Sequence, residues 1–151
     1  MFTKQGDLKM LYDKENMFSD NQAITADAAS TNVLELAKGP IKEVAFGTPI
    51  PLRIQVTKTF TGITSASTLE IKVQTDDNEA FSSPTVLATS GAIPMTDLKD
   101  GFVAPINYVP RGNQGFMRLY YDVTLNASET VTAGNITAGI VASNGGSYHE
   151  M

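Results

Sequence analysis

The chain has 151 residues, carries 16 acidic against 11 basic side chains for a net charge of −5, and contains no cysteine. That length fits one domain. The acidic balance, with no run of four basic residues, argues against binding nucleic acid through phosphates. The missing cysteine removes disulfide frameworks, thiolate nucleophiles and thiolate metal sites together. Charged residues make up 18%, below the usual quarter. Thr, Ser, Asn and Gly take their place, which suits strands and turns.

Residues 1–32 are polar and lack a sustained strand pattern. They hold no apolar block of signal-peptide length, and no stretch of the chain approaches the ~20 apolar residues of a membrane span. A cytoplasmic site of synthesis and no membrane contact are therefore expected. The large apolar groups here include Leu11, Tyr12, Met17 and Phe18, in a segment with no core of its own. This reads as an irregular N-terminal arm. Either it folds back over its own domain, or those four residues form a partner-binding clamp, adding main-chain hydrogen bonds to a sheet edge. The alanines from Phe18 to Leu36 are compatible with a helix, but Thr25, Thr31 and Val33 argue against more than a turn or two.

Residues 33–143 carry the periodic signals, and the period is two. Leu52, Ile54 and Val56 alternate with polar neighbours, as do Leu69, Ile71 and Val73. Met117, Leu119, Tyr121, Val123 and Leu125 alternate with Arg118, Tyr120, Asp122 and Thr124. Ile136, Ala138, Ile140 and Ala142 form the last run. Each predicts a strand with one face on a core and the other in water; Ile71 and Leu119 are assigned to the core. Weaker signals lie at Val33 to Leu36, Thr85 to Thr89 and Phe102 to Val109. Turn residues separate the runs: Gly39-Pro40, Gly47-Thr48-Pro49, Asp76-Asp77-Asn78, Asp100-Gly101, Pro110 to Asn113 and Ala133-Gly134-Asn135. Seven or eight short strands at this spacing predict an all-β, antiparallel, jelly-roll-like sandwich. Residues 144–151 read as a short tail.

Candidate chemistry is sparse. The single histidine, His149, sits in that Gly-rich tail, where a chain end frays unless tied. Asp76-Asp77-Asn78-Glu79 offers oxygen ligands, yet a solvated turn closing a strand explains it better than a calcium site. Asp97 and Asp100 lack an assignable partner acid for a carboxylate dyad. Gly112 to Gly115 lacks the Lys-Ser/Thr of a phosphate loop. The tripeptides Asn126-Ala127-Ser128 and Asn135-Ile136-Thr137 are glycosylation sequons frequent by chance in a Thr-rich chain. Tyr108, Tyr120 and Tyr121 could line a sugar, although tyrosines on strands usually pack against cross-strand neighbours. Neither a catalytic residue, a metal site nor a cofactor is expected.

Four patches carry a resemblance. Residues 10–25 (MLYDKENMFSDNQAIT), residues 29–33 (ASTNV), Val73 to Asp77 leading into Phe81 to Pro84, and Arg118 to Tyr121 together resemble a family of capsid cement, or decoration, proteins of short-tailed phages. The likeness spans Met10 to about Ser143; residues 1–9 and the tail fall outside it. The resemblance implies a jelly-roll-like fold, a homo-oligomer (dimer or trimer), and attachment to the exterior of a shell built by a separate major coat protein. It carries over no catalytic residue, and it implies a location on the virion. A receptor- or carbohydrate-binding β-sandwich of a phage tail or fibre is the alternative, and an enzyme is the remoter one.

Overall fold

A computed structural model describes residues 12–36 and 49–141. In chain order the strands are β1 (Tyr12–Ala23), β2 (Ala28–Ala29), β3 (Leu34–Glu35), β4 (Leu52–Thr61), β5 (Thr68–Asp76), β6 (Thr85–Pro94), β7 (Phe116–Thr124) and β8 (Ala133–Val141). A 3-10 turn, Met95–Asp97, follows β6, and the described residues contain no α-helix. Helix is disfavoured because Val, Ile, Thr and Tyr dominate the runs.

All pairings are antiparallel. One sheet has the order β1-β8-β4; the other has β7 and β5 at its centre, β6 on one side, and β2 and β3 both on the far side of β7. The segment after the 3-10 turn lies along the outer edge of β4. Val56 N donates to Phe102 O (2.8 Å), Ala104 N to Ile54 O (2.9 Å) and Leu52 N to Asn107 O (2.9 Å), with bridges at Pro51–Tyr108 and Gln55–Val103. Counting that segment as a strand, and β2 with β3 as one, each sheet has four. Apart from β5 and β6, which follow one another in the larger sheet, the chain then alternates between sheets, in the order of a jelly roll. The weak signal at Phe102 to Val109 is this edge-covering segment.

The core lies between the sheets. Leu52, Ile54 and Val56 from β4, Leu69, Ile71 and Val73 from β5, Met117, Leu119 and Tyr121 from β7, and Ile136 and Ala138 from β8 are all buried in it. Those are the parities that the period-two runs assign inward. Each fully buried aliphatic side chain contributes roughly 1.5–3 kcal/mol. Two positions depart from the pattern. Leu125 lies beyond β7 and is exposed, because the pairing with β5 stops at Thr124. Gly134 is inside β8 and not in a turn. A side chain there would collide with the Phe60 ring, 2.5 Å from the Cβ position, so glycine lets Phe60 into the core.

The arm expected over residues 1–32 is corrected from Tyr12 onward. β1 is a strand of the sandwich and pairs with β8, and β2 belongs to the other sheet, so no domain boundary falls at residue 32. Bulges hid the strand. The twelve residues of β1 face only the seven from Asn135 to Val141, with register shifts after Tyr12, Met17 and Ser19. Each extra residue breaks the alternation on which a sequence reading depends. A partly buried polar network ties β1 to β2 and β7: Ser19 Oγ donates to Gln22 Oε1 (2.7 Å) and lies 2.8 Å from Tyr121 Oη. Gln22 Nε2 donates to Ala29 O (3.0 Å), and Gln22 Oε1 accepts from Thr31 N (3.0 Å).

Candidate functional site

Of the four residues expected to form a clamp, the two whose side chains are described, Met17 and Phe18, lie on opposite sides of β1. Phe18 is fully buried in its own core. Met17 faces Gly139 on the outer side of the smaller sheet and is buried there, apart from the main core. For these two the first alternative holds: the segment packs on its own subunit. Tyr12 begins β1 opposite Val141, and Leu11 lies outside the described residues. The reason is the same bulged strand, since pairing with β8 turns Phe18 inward and Met17 outward.

Other candidates also disperse. Tyr121 is in the core, Tyr120 is on the outer face of the larger sheet, and Tyr108 stands half exposed beside β4. They do not converge on one site. Asp97 and Asp100 are exposed at the 3-10 turn, and Asp100 N donates to Thr59 Oγ1 (3.0 Å). Asn113 is buried; its Oδ1 accepts from Gly115 N (3.1 Å), closing the Gly112–Gly115 loop. Asn135 Nδ2 donates to Asn21 O (2.9 Å), so that amide holds β1 to β8. His149 lies outside the described residues. Among the described residues no group of three or more His, Cys, Asp and Glu could hold a metal ion, and no helix is long and apolar enough to cross a membrane.

The arrangement that does converge is the outer face of the larger sheet. Strand alternation puts Glu70, Lys72 and Gln74 of β5 directly opposite Asp122, Tyr120 and Arg118 of β7. Lys72 Nζ donates to Asp122 Oδ2 at 3.0 Å. Bonding to Asp122 raises the Lys72 pKa above its usual value. Arg118 Nε donates to Gln74 Oε1 at 2.8 Å. The Arg118 guanidinium lies 4.3 Å from the centre of the Phe81 ring and 5.7 Å from that of Tyr120. Burial lowers its pKa somewhat, yet guanidinium stays protonated.

Phe81 reaches that position through the loop after β5. Asp76, buried at the end of β5, accepts from Ser83 N (2.9 Å) and Asn78 N (3.3 Å), and Asn78 Oδ1 accepts from Ala80 N (2.8 Å). The Ser83 N–H, above all, holds the Asp76 carboxyl below its ordinary pKa. With the loop closed, Phe81 adopts φ +52°, a left-handed conformation rare for a bulky residue. Its ring is thereby laid under Arg118. So Asp76-Asp77-Asn78-Glu79 is a turn whose first carboxylate caps backbone amides. The sequence signal for the patch is Arg118-Tyr120-Asp122 at the solvent parity of the β7 run; Phe81 has none, because its placement depends on the loop's hydrogen bonds.

A second buttress stands at the other end of the sandwich. The Glu129 carboxylate accepts from Ser67 Oγ (2.5 Å), Thr64 Oγ1 (2.7 Å) and Thr64 N (3.1 Å). The Ser67 hydroxyl, first, and Thr64 depress its pKa. Ser67 Oγ in turn accepts from Asn126 N (3.0 Å), joining two loops.

Comparison with known families bears on this sandwich as a whole. The model of the family described as Bbp16 matches residues 18–140. The chain belongs to the Bbp16 family. Bbp16 is a phage-related family. Its matched span opens at Phe18, the β1 residue that enters the core, and closes at Ile140 in β8, so it takes in both sheets. Bbp16 membership thus covers the jelly roll itself. No curated protein matches the chain.

Proposed function

We propose that this protein is a structural component of a phage virion, without catalytic activity, that binds the exterior of the assembled coat-protein shell and stabilises it as a cement or decoration protein. The phage-related family and the jelly-roll fold support this reading, and the use the chain makes of its ionisable groups carries it. Catalytic groups are tuned toward neutrality at working pH. Here Asp76 and Glu129 are shifted down and Lys72 up, each toward staying charged, and each is occupied in tying one backbone segment to another. These are the fixtures of a rigid scaffold. A cement protein needs such a scaffold, since modest contacts repeated over many equivalent sites add up to firm attachment.

The test is co-sedimentation with capsids purified without the protein, followed by heating. Binding to intact shells should raise their disruption temperature, because a ligand that binds only the assembled form stabilises that form. Binding with no rise would remove the cement role, and no binding would remove the capsid role. The half-exposed Tyr108 favours a carbohydrate-binding surface as second reading; glycan-array binding without capsid binding would select it.

A further inference from the structure

We infer that Arg118, held on the outer face of the larger sheet by Gln74 and Phe81, is the seat for a carboxylate of the coat-protein shell. The inference rests on the cement reading and names the group on this chain that anchors the attachment.

The charges on this side of β5 and β7 are engaged within the chain, with one exception. Asp122 pairs with Lys72 at 3.0 Å, Glu70 accepts from Thr89 Oγ1, and Asp76 accepts from Ser83 N and Asn78 N. Arg118 is the exception. It has no carboxylate at ion-pair distance among the described residues, although it is half-buried and a buried cation is ordinarily paired. Its Nε donates to Gln74 Oε1 (2.8 Å), and the guanidinium lies 4.3 Å from the centre of the Phe81 ring. Neither contact uses its two terminal amino groups. Gln74 supplies a second, independent sign. It is only 8% exposed, and arginine carries no acceptor, so the amide oxygen faces Arg118 and Nε2 is left as a donor. That nitrogen has no acceptor among the described residues, and a buried donor without one is costly. Side by side, then, stand a guanidinium end and an amide N–H, donors alone.

The chemistry of those donors selects the ligand. The two parallel N–H groups at the end of a guanidinium match the two oxygens of a carboxylate. A phosphate dianion suits the place less well, because one uncompensated cation shares its strands with Asp76, Asp122 and Glu70. Phe81 and Gln74 hold the fork still, which reduces the entropy lost on binding. In open water such a pair holds little. It gains strength where a large partner covers it and shuts out water, and repetition over equivalent positions multiplies it. An acidic side chain or chain end on the surface of the shell meets both conditions.

The test uses the full chain and shells purified without it. Arg118→Gln should bind those shells at least about tenfold more weakly than wild type. Arg118→Lys, which keeps the charge but loses the planar fork, should fall between the two. Circular dichroism and melting verify folding, and Arg118→Lys serves if Arg118→Gln unfolds. Arg118→Lys also reports the ligand directly. On the shell, a carbodiimide should activate the facing carboxylate, which the amine at position 118 then attacks, forming an amide as the urea leaves. Mass spectrometry of the cross-linked peptide should find an Asp, a Glu or a chain end of the coat protein; wild type, treated alike, shows what Lys72 and the other lysines contribute. A cross-link from position 118 to another copy of this chain, or none to the coat protein, overturns the inference. So does Arg118→Gln that binds as tightly as wild type, a result that leaves the cement reading standing. Wild type that fails to bind shells removes that reading, and the seat with it.

Discussion

Along β5 and β7 the side chains of one parity are Leu69, Ile71, Val73, Leu119 and Tyr121, all buried to within a few per cent of complete. Their immediate neighbours, Glu70, Lys72, Arg118, Tyr120 and Asp122, are half exposed. The same two backbones serve both rows. The inner row is held by apolar burial and tolerates no polar group without a partner. The outer row is held by charge-assisted bonds and ring contacts between residues that each keep some surface in water. Stability should therefore depend on the inner row far more than on the outer one. The smaller sheet makes a second contrast. Its β4 edge is covered by the segment up to Val109, and the backbone of β1 at Met17 crowds Gly139 of β8, so that edge and that position are occupied from within the chain.

The largest effect is expected where the inner row is cut. Leu119→Ala should lower the free energy of unfolding by roughly 2–5 kcal/mol, the usual cost of emptying a packed site. Tyr120→Ala, one residue along on the outer row, should cost well under half of that, since surface changes away from special features are small. Urea titration of both variants sharpens the comparison. If they cost the same, the division between inner and outer rows is wrong.

Next comes the close contact of β1 with β8. A Cβ at Gly139 would stand 2.9 Å from Met17 Cα and 3.2 Å from Asn16 O, both backbone atoms that have to move. Gly139→Ala should cost about 1–3 kcal/mol through overpacking. Hydrogen exchange should localise the damage to β1, with Phe18 and Ser19 losing protection before the centre of the larger sheet does. Uniform loss across both sheets would mean that β1 is not a separable layer.

That strand also marks how far the sequence could be read. The four regular runs were legible because period two survives wherever pairing is continuous, and Leu52 to Val56, Leu69 to Val73, Met117 to Val123 and Ile136 to Ile140 all fall on β4, β5, β7 and β8 with the expected parity. β1 was not legible, since three register shifts destroy its alternation while leaving its pairing with β8 intact. β6 was seen only as far as Thr89, because bulges near Leu87 and near Ser90–Gly91 interrupt its pattern. The outer patch was half legible. Arg118, Tyr120 and Asp122 stand out as polar positions of a strand, but Phe81 joins them through a loop closed by Asp76, and no local spacing encodes that.

The two loop buttresses, Asp76 at one end and Glu129 at the other, set the expected pH response. Both carboxyls have folded-state pKa values below the ordinary range. Their contribution is therefore present above the unfolded-state pKa, near 4, and is lost as pH falls through the folded values. Stability should be level from neutral pH to about 5 and decline below about 4. Glu129→Gln should flatten part of that decline, and Asp76→Asn another part, in acid-titration melts. An acid decline unchanged in both variants would show that other carboxylates dominate it. Lys72 acts at the opposite limit. Its raised pKa means that its pairing with Asp122 is complete below about 10 and is lost only as pH rises through its folded value.

The smallest effect is a gain, and it lies in the loop that Glu129 holds. Ala127 has φ +48° in the turn between β7 and β8, a left-handed conformation that crowds its Cβ against the following carbonyl. That crowding costs an L-residue roughly 1–2 kcal/mol. Glycine removes it but gives the unfolded chain more freedom, a loss of about 0.5–1 kcal/mol. Ala127→Gly should therefore stabilise by a few tenths to about 1 kcal/mol, raising the melting temperature by a few degrees at most. The sign is the informative part. A gain means that the turn is strained and held in place from outside, by Ser67 Oγ accepting from Asn126 N and by Glu129 bonding Ser67 and Thr64. A loss would mean that Ala127 relaxes to negative φ, and that those bonds do not hold the turn. Combining Ala127→Gly with Glu129→Gln separates the two. If the buttress imposes the strain, its removal lets Ala127 relax, and the benefit of glycine should shrink toward zero in that background.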